Sequence, residues 1–69
     1  METVKIHTDF ITLGQLLKFV NIASSGGDIK AILATKKITV DQEVDNRRGR
    51  KLYKGMVIDI QDYGVFKIV

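Results

Sequence analysis

The sequence predicts an α+β fold in which two short helices pack on a small, mainly antiparallel sheet. Two features lead to this prediction. In the first half of the chain, apolar residues recur at the three- and four-residue spacing of a helix, and from Ile38 onward they alternate with polar residues, as in a strand. The 69 residues include no cysteine and no proline, so we expect one domain over residues 1–69, held together by packing.

A short strand is expected first, at residues 3–7, where Val4 and Ile6 alternate with polar neighbours. A helix should follow, with Thr12 as its N-cap. Its apolar stripe consists of Leu13, Leu16, Leu17 and Val20, widened by Phe19 and Ile22. This stripe is expected to cover the core.

The second helix is predicted after a turn at residues 21–27, which contain one asparagine, two serines and two glycines. Gly26 or Gly27 is expected to supply the left-handed backbone of this turn. Ser25 followed by Asp28 indicates an acidic capping box at the helix start. The residues predicted to face the core are Ile29, Ile32 and Leu33, and those predicted to lie in the last turn are Lys36 and Lys37.

The remaining strands are predicted from alternation and from the turns between them. A hairpin is expected at residues 38–44, with Asp41 and Gln42 at its turn. Residues 45–51 form a polar loop, which we call the basic loop. Leu52 and Tyr53 return to apolar character, and further strands are expected at residues 57–60 and 65–69, around a turn at residues 62–64.

The net charge of +3 is unevenly distributed along the chain. Residues 1–29 and 55–69 each carry a net charge of −1, whereas residues 30–54 hold eight basic and three acidic residues, a net +5. A concentrated positive excess is typical of a surface that meets a polyanion. The charge therefore favours a nucleic acid as partner.

Catalytic and cofactor sites are not predicted. His7 is the one histidine, and no motif links it to Ser24 or Ser25, so we expect no catalytic residues, no metal site and no cofactor. The Ser-Ser-Gly-Gly-Asp segment lacks the lysine of a nucleotide-binding loop, and whether this turn contacts a phosphate stays open. No apolar run is long enough to span a membrane and no signal peptide is evident, which favours a cytoplasmic protein. Because no catalytic or cofactor motif is found, we also expect no small-molecule substrate.

The basic loop is the strongest functional signal in the sequence. Arg47, Arg48, Arg50 and Lys51 are four cations within five residues. They either form salt bridges with the preceding acids, as a solvated loop would, or bind phosphates, for which planar guanidinium groups are well suited. Tyr53 has two interpretations as well, because it could stack on a base or lie at the edge of the core.

The chain resembles the S4 RNA-binding domain family, in particular the stand-alone bacterial S4 proteins. The residues that carry this resemblance are Leu13, Leu17, Lys18, Gly26, Gly27, Lys30, Val40, Glu43, residues 47–52 and Gly55. Three positions depart from the family pattern: Asp41-Gln42 replaces Asn-Gly, Met56 replaces aspartate, and Gly26-Gly27 replaces the arginines of many larger members. The similarity covers most of the chain, from about residue 11 to residue 60.

The resemblance implies an alpha-L motif and a surface for structured RNA, made by the second helix and the basic loop. The partner would be ribosomal or transfer RNA, with association with the ribosome and a role in its assembly or in translation. The residues implicated by position are Lys30, Lys36, Lys37, Arg47, Arg48, Arg50, Lys51 and Lys54. Two alternatives remain at this point: a DNA-binding helix-turn-helix, and an adaptor whose basic loop meets an acidic protein.

Overall fold

The computed structural model describes residues 1–69 and contains two helices and seven short strands. In chain order these are β1 (Glu2–Val4), β2 (Phe10–Thr12), α1 (Leu13–Phe19), α2 (Gly26–Thr35), β3 (Ile38–Val40), β4 (Glu43–Val44), β5 (Lys51–Tyr53), β6 (Val57–Ile60) and β7 (Gly64–Ile68). The predicted α+β class is confirmed. Neither helix is long and apolar enough to cross a membrane.

The main sheet has five strands in the order β1-β7-β6-β3-β4. All its pairings are antiparallel except that of β1 with β7, which places Val4 opposite Ile68. Alternation along the strands buries Ile58, Ile60 and Phe66 on one face and leaves their neighbours on the other. The core contains sixteen buried apolar residues from the sheet, the helices, β5 and two connecting segments (Ile6 and Ala23), and no buried polar side chain.

A second, two-stranded sheet was not predicted from the sequence. Residues 10–12, expected only to lead into the first helix, form β2 and pair antiparallel with β5, so that Ile11 lies opposite Leu52. Leu52 is fully buried, which ties this ribbon to the core. Residues 10–12 read Phe-Ile-Thr, in which apolar and polar residues do not alternate, so the sequence pattern gives no strand signal there. Because of this pairing, the basic loop, which precedes β5, lies beside the start of α1.

Helix α1 begins as predicted and buries its leucines, but its stripe is narrower than expected. The Thr12 side chain accepts a hydrogen bond from the Gln15 backbone, and the Gln15 side chain accepts one from the Thr12 backbone, a complete capping box. The prediction that Phe19 joins the core is wrong, because its side chain is 61% exposed. At 100° per residue, Phe19 lies about 110° from the centre of the leucine stripe.

Helix α2 begins after Ser25, whose side chain accepts a hydrogen bond from the Asp28 backbone, so the predicted N-cap is confirmed. The predicted capping box is incomplete, because the Asp28 carboxylate accepts from the Ser24 backbone (3.1 Å) and not from that of Ser25. The predicted left-handed glycine is wrong: Gly26 and Gly27 are the first two helical residues, and Asn21 (φ 62°) makes the turn instead. Asparagine tolerates this backbone better than most residues.

The end of α2 also differs from the prediction. The helix stops at Thr35, so its last turn has no basic residue, and Lys36 is the C-cap with an extended backbone. Lys37 follows outside the helix and leads directly into β3. The two lysines are thereby directed toward the β6–β7 end of the sheet.

The predicted hairpin at β3 and β4 is confirmed, with Val40 paired to Glu43. Its two turn residues, Asp41 and Gln42, have positive φ angles of 49° and 72°, the conformation usually taken by asparagine and glycine. The Asp41 backbone donates to the Val57 carbonyl (2.8 Å), and its carboxylate accepts from the Val57 amide (2.9 Å). These bonds to β6 hold the turn without the usual residues.

Candidate functional site

The basic loop is fastened to the first turn of α1 through backbone hydrogen bonds. The amide of Leu13 donates to the Arg50 carbonyl (2.8 Å), and the amide of Gly14 donates to the Arg48 carbonyl (3.0 Å). The first amides of a helix have no partner within the helix, so these carbonyls satisfy them. A further bond from the Arg50 amide to the Arg47 carbonyl (3.1 Å) closes the loop on itself. The loop arginines therefore project from a defined backbone.

Asp45 neutralises part of the charge of the basic loop. Its carboxylate accepts from Arg47 at 2.7 Å and from Arg50 at 3.1 Å, and only 9% of the side chain is exposed. The Arg47 hydrogen bond holds the pKa of this carboxyl well below its usual range, and Asp45 in turn raises the pKa of Arg47. Of the two interpretations of the basic loop, salt bridging therefore applies to Arg47 and Arg50. Of the three preceding acids, Asp45 forms both bridges.

Arg48 has no carboxylate partner. Its side chain runs from α1 to the start of α2: a Cβ added to Gly14 would lie 2.9 Å from Arg48 Cγ, and one added to Gly26 would lie 3.8 Å from the guanidinium nitrogens. Glycine at position 14 leaves the space that the arginine occupies. The guanidinium lies beside the starts of both helices, and no carboxylate compensates its charge.

Arg48 lines two open hollows. The smaller, of 180 Å³, lies along α1 and is lined in part by Lys18 and Gln15. The larger, of 450 Å³, lies along α2 and is lined in part by Lys30 and Asn46. Neither is lined by an acidic residue. Lysines of both helices thus border the same arginine.

A third hollow, of 340 Å³, lies on the other side of the basic loop. Its lining residues are Arg47, Gly49, Arg50, Lys51, Tyr53 and Met56, again without an acid. Gly49 makes no close approach, since a Cβ there would meet nothing within 4 Å. Lys51 Nζ lies 4.9 Å from the centre of the Phe10 ring, and that ring is 5.7 Å from the ring of Tyr53.

The structure separates the remaining predicted site residues from this group. Lys36 donates to Asp62 (2.7 Å), and this hydrogen bond raises the pKa of Lys36. Lys37 lines a hollow with Asp59 and Gln61 on the outer face of the sheet. Lys54 is exposed in the turn between β5 and β6. Lys30, Arg47, Arg48, Arg50 and Lys51 are brought together around the basic loop, and Lys36 and Lys37 are not.

Sequence reasoning missed two residues of this surface, Gly14 and Lys18. Lys18 belongs to the family pattern but is not among the predicted site residues. A glycine inside a helical stripe is itself a signal, because it weakens the helix unless a close neighbour requires it. The hydroxyls considered for catalysis have structural partners: Ser24 Oγ donates to Asp28 (2.6 Å), which lowers the pKa of Asp28, and Ser25 caps α2.

Comparison with known proteins identifies the family. A family model described as "S4 domain" matches residues 4–69. The chain belongs to the S4 domain family. It is also 47% identical, over 66 residues that cover 96% of this chain and 93% of the relative, to a protein of Bacillus subtilis (strain 168) described as "Probable ribosome maturation protein RlbA". The resemblance to S4 RNA-binding domains is confirmed, and this S4 domain presents the basic surface described above.

Proposed function

We propose that this S4 domain binds structured ribosomal RNA, without catalysis, through the surface around its basic loop. The residues assigned to this RNA surface are Lys18, Lys30, Arg47, Arg48, Arg50 and Lys51. The observation that carries the proposal is the uncompensated Arg48 guanidinium, which lies beside the starts of both helices and is flanked by open hollows without acidic residues. An unpaired guanidinium is suited to bidentate contact with a phosphate.

The similarity to a ribosome maturation protein supports ribosomal RNA as the target. The arrangement of charges supports recognition of RNA shape. Cations on two helices and one loop are spread over a surface, whereas a helix-turn-helix would place its reading side chains on the second helix. Double-stranded RNA offers phosphates and 2′-hydroxyls along a shallow minor groove, and such contacts carry little sequence specificity. In this proposal the protein is a binding module that docks on folded RNA.

The test is co-sedimentation of the protein with purified ribosomal subunits at low and high salt, with and without ribonuclease. We expect co-sedimentation that is lost at high salt and after ribonuclease treatment. Retention after complete RNA digestion would contradict the proposal and favour an acidic protein partner.

A second measurement compares a paired RNA hairpin with a DNA duplex of equal length. If four to six phosphates are neutralised, the logarithm of the association constant for RNA should fall with the logarithm of salt concentration at a slope of roughly −3 to −5. Equal or tighter binding to the DNA duplex, or a slope near zero, would contradict RNA recognition by this surface.

A further inference from the structure

An exposed aromatic side chain stands beside the cations of the basic loop. Tyr53 is 42% exposed although it belongs to β5, next to the fully buried Leu52. Across the ribbon it faces Phe10, with the two rings tilted by 51°. Lys51 covers the ring of Phe10 from the same side of the ribbon. Tyr53 is therefore the aromatic ring of this ribbon that keeps accessible surface beside the loop.

The hollow next to Tyr53 combines two kinds of surface. Arg47 and Arg50, which share the single carboxylate of Asp45, supply a net positive charge together with Lys51. Tyr53 and Met56 supply a flat ring and a thioether. Such a pairing matches the two parts of a nucleotide, a negative phosphate and a flat base. Tyr63 gives a contrast, because it is similarly exposed (47%) in the β6–β7 turn but lines none of the hollows.

From this juxtaposition we infer that the hollow beside Tyr53 binds one unpaired nucleotide of the RNA, whose base stacks on Tyr53 while the loop cations contact its phosphate. Bases inside an RNA duplex are stacked on each other and closed to side chains, so only a bulged or looped nucleotide can use this ring. The inference rests on the proposed function and deepens it: the preferred target is a helix with an unpaired base beside the phosphates that Arg48 contacts.

The test compares two RNA hairpins that differ only by one bulged adenosine. Wild-type protein should bind the bulged hairpin about 5- to 100-fold more tightly, since base–aromatic stacking contributes of that order. With 2-aminopurine at the bulge, binding should quench its fluorescence. Tyr53→Leu should lose both the preference and the quenching while binding the paired hairpin within about twofold of wild type.

Two variants serve as controls. Tyr53→Phe keeps the ring and should keep the preference, which shows that any loss in Tyr53→Leu is due to stacking. Tyr63→Leu removes an equally exposed tyrosine and should behave like wild type. Equal affinity of wild type for both hairpins, or a preference that survives in Tyr53→Leu, would overturn the inference. Salt-dependent binding of the paired hairpin would still support the proposed function in that case. Binding of neither hairpin would overturn both.

Discussion

The basic loop and the outer face of the sheet both carry cations, yet they differ in the acids that line the hollows beside them, although Asp45 pairs with two arginines of the loop. The three hollows that border the basic loop are lined by no acid. The two hollows on the outer face are lined by Asp59 and, in one of them, Asp41. Helix α2 connects these regions: Lys30 on its body borders Arg48, and Lys36 at its end pairs with Asp62. The difference teaches that a lysine's role depends on which charges the fold places beside it.

The largest effect on RNA affinity should come from reversing a charge at the basic loop. The same reversal on the outer face of the sheet serves as the comparison. Arg48→Glu removes a charge-assisted contact and adds repulsion, so RNA affinity should fall by about 100-fold. Lys37→Glu makes the same change of net charge beside Asp59 and should alter affinity by less than about threefold, because exposed distant charges are screened. Hairpin binding by both variants at one salt concentration checks this comparison. Equal losses would show that net charge alone determines binding.

The next effect concerns stability, through the acid that holds the basic loop. Asp45→Asn should lower the free energy of unfolding at pH 7 by about 1–3 kcal/mol, since charged hydrogen bonds to Arg47 and Arg50 are lost. The folded pKa of Asp45 is depressed, so the wild-type advantage is present above the usual value of 3.8 and shrinks as pH falls below it.

Urea unfolding of the wild type and of Asp45→Asn, from pH 7 to below pH 3.8, measures the difference in their free energies of unfolding. Glu43→Gln is the matched control, because Glu43 forms no ion pair, and it should leave stability nearly unchanged. An advantage of Asp45 that persists unchanged in strong acid would contradict the assignment.

A smaller effect is expected where the glycine of α1 makes room for Arg48. Gly14→Ala should weaken RNA binding by about three- to tenfold, because the methyl group displaces an arginine that makes a charge-assisted contact. Gly27→Ala adds the same methyl group where only ordinary contact with Ser25 exists, and should leave affinity unchanged. Circular dichroism confirms that both helices remain. If the two variants bind alike, the position of Arg48 does not matter.

The smallest effect belongs to the outer region. Gln42→Gly should raise the free energy of unfolding by about 0.5–1 kcal/mol, because Gln42 has a φ of 72° that glycine adopts without strain. RNA affinity should not change, since this turn lies on the acidic face. Urea unfolding and hairpin binding measure the two properties. A gain in stability with a loss of affinity would show that the outer face takes part in binding.

The sequence predicted the parts of this molecule that depend on local pattern. The fold class, both N-caps and the hairpin around Asp41-Gln42 follow from spacing and residue chemistry, and all are confirmed. The β2–β5 ribbon could not be predicted, because apolar and polar residues do not alternate over residues 10–12 and the strand there is defined by its pairing with β5.

The predicted site was limited in the same way. The family resemblance grouped Lys36 and Lys37 with the arginines, whereas the residues that contact them, Asp62 and Gln61, lie 26 and 24 residues further along the chain. The contact of Arg48 with Gly14 spans a similar distance in sequence and joins a helix to a loop. Charge composition identifies a basic region, but only tertiary structure shows which of its charges remain unpaired.

The most direct test of the central claim is an NMR titration of the protein with the paired RNA hairpin, followed through backbone amide shifts. The RNA surface proposed here predicts the largest shifts at Gly14, Lys30 and residues 47–51, with little change at Lys37 and residues 59–64. Shifts concentrated at Lys37 and residues 59–64, with the basic loop unaffected, would contradict it.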